Sequence, residues 1–384
     1  MSTVVLFLLL LNSLPSTMAN DVTVENSLSL SPGEDKVTCL ALNGKVLYVG
    51  LNTAPGIIAR ADIESMSARS SLKLSQGEDS IYSLVVVGAY LYAGLYTSPG
   101  KIVKVDLESF SKIETLTLRD GENWVSSLAA SGAFLYASLR MWPGKIVRIN
   151  LETFARVELL ELASGENNIY SMAIKDGYLY ANIAMRPGGV AKIRLETFRE
   201  VQSVRLQSGE DYNQPIFISG NLLFTGFYSR PGGVAKVDLA TLEEIGSATH
   251  FSQEEENVWS LIVHGDFVYA GLDTRPGAII RLDKSLKRMD TLRLPEGQGG
   301  VYSFVPLGDF LICGLYSSPG KILIIRTQPP QVESKSLPLL PTFASVAVMC
   351  AVLFWLRRAR LRSPRAAERS WEIFPRPFGH SEHI

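Results

Sequence analysis

The dipeptide Pro-Gly recurs at Pro55-Gly56, Pro99-Gly100, Pro143-Gly144, Pro187-Gly188, Pro231-Gly232, Pro276-Gly277 and Pro319-Gly320. The steps are 44, 44, 44, 44, 45 and 43 residues. So regular a period confines the chain to a repeat architecture, in which each unit buries its apolar faces only against its neighbours.

The second unit shows what is repeated. Residues 81–87 are mostly apolar and end at a Gly88 turn, and residues 90–96 (YLYAGLY) form a second apolar run. Pro99-Gly100 then reads as a type II turn, with Pro fixing φ and Gly accepting a positive φ. Residues 102–107 and 112–118 alternate apolar with polar side chains, and Asp120-Gly121-Glu122-Asn123 leads into the next unit. Four short strands, a to d, with turn signals every 8–12 residues mark an all-β chain. Four strands in about 44 residues make one propeller blade, and residues 22–327 hold seven of them.

The phase of the ends closes the ring. The last unit (residues 301–327) has strands a, b and c and stops at Gln328-Pro329-Pro330, while the first begins with an orphan strand d at residues 23–30. The N-terminal strand is therefore expected to complete the last blade and to hide edges that would otherwise pair with other chains. The expected fold is an all-β seven-bladed β-propeller over residues 20–328. Units such as LYAGLYTSPGKIVKVDL (residues 91–107) resemble the YVTN-type and surface-layer-type members of the WD40/YVTN-like propellers. The Thr-Asn of the YVTN motif is replaced by Ala-Gly or Val-Gly, no Trp-Asp pair closes a unit, and the kelch double-Gly arrangement is missing. The resemblance covers about 80% of the chain and implies the fold; propellers host enzymes, lectins, receptors and scaffolds alike.

The two ends differ from the middle. Residues 4–11 are apolar, and Thr17-Met18-Ala19 puts small residues where a signal peptidase cuts, so residues 1–19 read as a signal peptide. After a linker (residues 329–336), residues 337–356 carry no charge. Twenty helical residues span about 30 Å, the thickness of a hydrocarbon core. Arg357, Arg358, Arg360, Arg362 and Arg365 follow, so residues 357–384 read as a basic cytoplasmic tail. The expectation is a type I single-pass membrane protein whose propeller faces the cell exterior or the secretory lumen. The total charge of −1 with +4 in the tail leaves about −5 for the rest, which argues against nucleic acid as a partner.

Antiparallel order puts the b–c turns and the d–a loops on one face, here called the top. Six d–a loops carry an acidic pair or Glu-Asn: Glu34-Asp35, Glu78-Asp79, Glu122-Asn123, Glu166-Asn167, Glu210-Asp211 and Glu256-Asn257. A residue repeated in nearly every blade most simply serves the blade, by capping N–H groups of its own turn; the other reading is a cation-binding ring. Function is expected where equivalent positions differ. The residue before each Pro is Ala54, Ser98, Trp142, Arg186, Arg230, Arg275 and Ser318. Arg140, Trp142, Arg186, Arg230 and Arg275 are the candidate ligand-binding residues, with Met141 beside them and Tyr96, Tyr228 and Tyr316 near other turns, as guanidinium and aromatic groups suit interfaces and anionic ligands. Alternatively, each Arg pairs with a nearby loop acid.

No P-loop, Gly-x-Ser-x-Gly or His-Glu-x-x-His motif is present; His380 and His383 lie in the tail, and His250 and His264 have no metal-ligand spacing. No catalytic residue, metal or cofactor is expected. Cys39 and Cys313, in the first and last blades, read as buried thiols or as a clasp across the closure. Arg/Lys-x-Asp in strand c (Arg60-Asp62, Lys104-Asp106, Lys236-Asp238, Arg281-Asp283) reads as structural or solvated pairs. The function expected is a non-enzymatic binding or adhesion module, with a monomeric ectodomain taking a protein or anionic glycan on its top face. The alternatives are an extracellular lyase or hydrolase and a surface protein without a ligand.

Overall fold

The computed structural model describes residues 22–327. The signal peptide, the membrane segment with Cys350 and the basic tail expected above lie outside the described residues. No helix among the described residues is long and apolar enough to cross a membrane.

These residues form seven four-stranded antiparallel sheets. In blade 2, strands a to d are Ile81–Val87, Tyr90–Leu95, Lys101–Asp106 and Ser111–Thr117, within a residue of the sequence expectation. The closure is as expected: Thr23–Ser29 pairs with Lys321–Arg326 of blade 7 and supplies its outer strand. The core is divided into seven apolar clusters, each made by two adjacent blades. Strands b and c are therefore packed on both faces. Ile102 faces blade 3 while Val103 and Val105 face blade 1, which is why these strands read as near-continuous apolar runs. The Gly that follows Ala or Val in strand b exists because blades touch there: a Cβ on Gly94 would lie 2.6 Å from Val125 Cγ1.

Hydrogen bonds stitch the blades near the axis. Ser83 accepts the Leu128 N–H at 2.8 Å, Ser127 that of Met172 at 3.3 Å, and Ser303 that of Leu40 at 3.1 Å across the closure. Cys39 occupies the same column in blade 1. Cys39 and Cys313 are free thiols, so the clasp is not present, and burial pushes the Cys39 thiol up to about 12.

Three expectations are corrected. Every Pro-Gly turn contains a cis X-Pro bond, and none of these seven Gly residues has a positive φ, so the turns are not type II. The sixth d–a loop is aligned one residue earlier: Glu255 takes the repeated Glu position and Glu256 the next, because Glu254-Glu255-Glu256 is a run that sequence spacing alone cannot phase. Finally, the strand-c cation and Asp do not pair with each other. In three of the four the cation stacks on an aromatic ring, Arg60 on Phe110 at 4.5 Å, Lys104 on Phe154 at 5.6 Å and Arg281 on Phe267 at 4.6 Å, while Lys236 donates to the Lys284 carbonyl at 3.4 Å. The Asp caps the c–d turn, as Asp62 does by accepting the Glu64 and Ser65 N–H groups at 3.0 and 2.9 Å.

Candidate functional site

The top face is a backbone lattice. The N–H of each Pro-Gly glycine donates to a d–a loop carbonyl, from Gly56 to Glu78 and Gly100 to Glu122 at 2.8 Å each, around to Gly320 and Glu34 at 2.8 Å. The repeated glutamates serve these loops. Glu78 Oε2 accepts its own turn's Ser75 N–H at 2.8 Å and a hydrogen bond from Lys112 of strand d at 2.9 Å. Glu122 accepts the Arg119 N–H at 3.1 Å and takes Arg156 bidentately, the shortest contact 2.6 Å. Glu255 takes Arg288 at 2.7 and 2.8 Å, and that hydrogen bonding holds its carboxyl down at about 2. The capping reading of these loops is the observed one.

Two blades depart from this. The strand-d partner column reads Lys112, Arg156, Glu200, Glu244 and Arg288. Glu200 therefore meets Glu166, and Glu244 meets Glu210. Burial first, then the neighbouring carboxylate, raises Glu200 and Glu210 to about 7.

The blades differ most where three columns converge on the mouth of the central channel. A bulge near the start of most strands a turns one residue per blade into the channel. Thr38, Tyr82, Ser126, Tyr170, Gln214, Trp259 and Tyr302 consequently line one cavity of about 230 Å³. In blade 4 the short strand a leaves Tyr170 and Ser171 outside the ladder, and the fully buried Asn182 accepts both their N–H groups at 2.7 and 2.8 Å. The residues after strand b (Asn52, Tyr96, Arg140, Ala184, Tyr228, Asp273, Tyr316) form the second column. The third holds the last residue of each d–a loop (Lys36, Ser80, Trp124, Asn168, Tyr212, Asn257, Gly300). The first six of these have a left-handed backbone, and each donates its N–H to a b–c turn carbonyl, as Trp124 does to Thr97 at 2.9 Å.

These columns build two aromatic arcs. On one side Tyr302 stacks between Trp259 and Tyr316, 4.3 Å from each, and Tyr228 packs edge-on to Trp259 at 5.5 Å. Tyr302 donates its hydroxyl hydrogen to Asp273 at 2.9 Å, and burial raises the Asp273 carboxyl. On the other side Tyr96 stacks on Tyr82 at 4.8 Å and on Trp124 at 5.9 Å. Arg140 lies between Tyr96 and Tyr170, 5.0 and 4.1 Å from the ring centres, and donates to the Tyr170 hydroxyl at 2.5 Å. Asn52 joins the arcs, donating to the Tyr316 hydroxyl at 2.8 Å and accepting from Ser80 at 2.7 Å.

The five residues singled out from sequence fall into different settings. Trp142 is 76% exposed at the rim, beside Arg140. Arg186 lies 3.6 Å from Asp211, and Arg230 lies 3.5 Å from Glu256, so the simple pairing reading describes these two. Arg275 edges a cavity of about 490 Å³ with Lys36 and Tyr316. The structure thus joins Arg140 and Trp142 in one place and spreads the other three along the rim. Tyr96, Tyr228 and Tyr316 are legible beside the Pro-Gly turns, whereas Tyr82, Trp124, Tyr170, Trp259 and Tyr302 lie away from those turns and carry no local signal. Aligning the seven units in steps of 44 would have exposed them as the columns in which aromatic residues alternate with small polar ones.

No family model and no curated protein matches the sequence. Among solved structures the chain is similar to the RRP9 WD40 repeats, with TM-score 0.63, 14% identity, and 80% of this chain and 100% of that chain covered. It is also similar to U3-55K, with TM-score 0.61, 15% identity, and 80% and 99% covered. The computationally designed Ika8 protein matches with TM-score 0.56, 14% identity, and 78% and 98% covered. The chain is a seven-bladed β-propeller with WD40-like structural neighbours.

Proposed function

We propose that this protein is a membrane-anchored binding module that engages a partner, without turnover, through the top-face mouth of its propeller. The observation that carries the reading is the contrast between columns. Positions that build the blades repeat around the ring, whereas the mouth columns vary and are rich in Tyr, Trp and a stacked Arg. Aromatic and Arg side chains held in place by neighbours lose little freedom on binding and dominate interface energetics. WD40-like neighbours fit an interaction role by analogy of fold.

The anchoring rests on the uncharged residues 337–356 and the five Arg residues that follow. The Arg residues on one flank support a cytoplasmic tail with the propeller on the other side. The test is binding of the full chain to a panel of immobilised peptides and oligosaccharides. Trp124→Ala and Trp259→Ala are expected to weaken binding at least about tenfold. Val157→Ser and Val201→Ser, on exposed outer-strand positions, are expected to leave it unchanged. Equal binding by all four variants would refute the mouth as the site.

A further inference from the structure

Resting on that reading, we propose that the mouth between blades 2 and 4 captures a protein segment that carries a carboxylate beside a large apolar side chain, with Arg140 reading the carboxylate. The cavity there has about 560 Å³ and is lined by Tyr96, Trp124, Arg140, Met141, Trp142, Asn168 and Tyr170. That volume lies in the range of side-chain and ligand pockets. Its lining holds one cation and no acid. Trp142 is 76% exposed and Trp124 37% exposed, two large apolar surfaces that no described residue covers. Isolated exposed apolar residues need no explanation, but two Trp, a Met and two Tyr around one cavity form a contiguous patch. Trp, Tyr, Met and Arg are the residues enriched at protein interfaces.

Charge complementarity selects the partner. Arg186 and Arg230 face Asp211 and Glu256, whereas Arg140 makes no ion pair among the described residues. Its contacts are the rings of Tyr96 and Tyr170 and the hydroxyl of Tyr170. The second position of the d–a loops is acidic in four blades, as Asp35, Asp79, Asp211 and Glu256. It is Asn123 and Asn167 in the two loops beside this cavity. The acids are thus missing where they would neutralise Arg140 or repel an incoming carboxylate. Stacking between Tyr96 and Tyr170 fixes the guanidinium plane, so its remaining N–H groups are preset for a planar carboxylate. The backbone around it is equally fixed: Arg140 donates its N–H to the Trp124 carbonyl at 3.2 Å, and Asn168 to that of Met141 at 3.0 Å.

The test uses the full-length chain against immobilised capped peptides of one framework, Leu or Trp flanked by Glu, Gln or Lys. A peptide with Glu is expected to bind at least about tenfold more tightly than its Gln counterpart. Arg140→Gln should erase that preference, Arg140→Glu should transfer it to the Lys peptide, and Trp142→Ala should weaken every peptide with an unchanged melting temperature. Equal binding of Glu and Gln peptides would overturn the proposal, as would retention of the preference in Arg140→Gln. If binding survives Arg140→Gln and Trp142→Ala but is lost in Trp259→Ala, the inference falls and the mouth remains the binding site. If it survives all three, both fall. Selective binding of acidic oligosaccharides in place of acidic peptides would also overturn it.

Discussion

Gly320 donates its N–H to the Glu34 carbonyl at 2.8 Å and thereby ties the top of blade 7 to the loop that opens blade 1. A Cβ at this position would lie 2.9 Å from that same carbonyl oxygen, which is backbone and cannot step aside. Gly320→Ala is expected to cost ~1–3 kcal/mol, the usual penalty for forcing atoms into a packed site. Denaturant unfolding should show this, and an unchanged midpoint would mean that the joint is loose. The buried glutamates make a second case. Glu122 is 4% exposed and neutralises Arg156, so Glu122→Ala strands a guanidinium and should cost about 3 kcal/mol. Both residues were legible as repeats in the sequence, but their work was only half so. The Glu column announced a structural role; its strand-d partner is 34 residues away and appears only when the blade is folded.

At the scale of elements, the N-terminal strand Thr23–Ser29 is mostly exposed along its length yet supplies the fourth strand of blade 7. Removing residues 20–31 uncovers the Lys321–Arg326 edge and the cluster around Leu30, Ile322 and Ile324. The deletion is expected to abolish the cooperative melt or to cause aggregation, and a parent-like melt would contradict the closure. Blades 4 and 5 each hold a carboxyl pair between a d–a loop glutamate and one that follows strand c, Glu166–Glu200 and Glu210–Glu244. Glu200 and Glu210 are raised from 4.5 to about 7 in the fold, so the native state holds protons that the unfolded chain releases. Their contribution to stability is full below pH 4.5 and is lost as pH rises through about 7. Glu255, held down at about 2, acts oppositely: its contribution is present above 4.5 and is lost as pH falls towards 2. The melting temperature should therefore be higher near pH 5 than at pH 8. Glu200→Lys, which copies the Lys112 arrangement of blade 2, should raise it at pH 8 by about 2 °C or more and flatten the dependence. Melts at pH 5 and pH 8 check both statements.

For the whole molecule, the architecture was readable because a 44-residue period, four strands per period and a displaced outer strand leave one solution. The Pro-Gly geometry was not readable, since a Pro-Gly pair fits both a trans type II turn and a cis turn, and only the docking of Gly on the next loop distinguishes them. The binding mouth was half readable. Arg140, Trp142 and Tyr96 stood out beside turns, whereas Trp124 and Tyr170 join them only once the ring curves. The same ring keeps Ile113, Val157, Val201 and Met289, each about half exposed, apart on separate outer strands, so they serve as controls for a surface without a site. The central claim is that this propeller binds through the residues in which its blades differ. The most direct measurement compares the affinity of the full chain for the Glu-flanked peptide between the parent, Arg140→Gln and Val157→Ser. The account predicts a loss of at least about tenfold for Arg140→Gln and none for Val157→Ser; equal affinity in all three would contradict it.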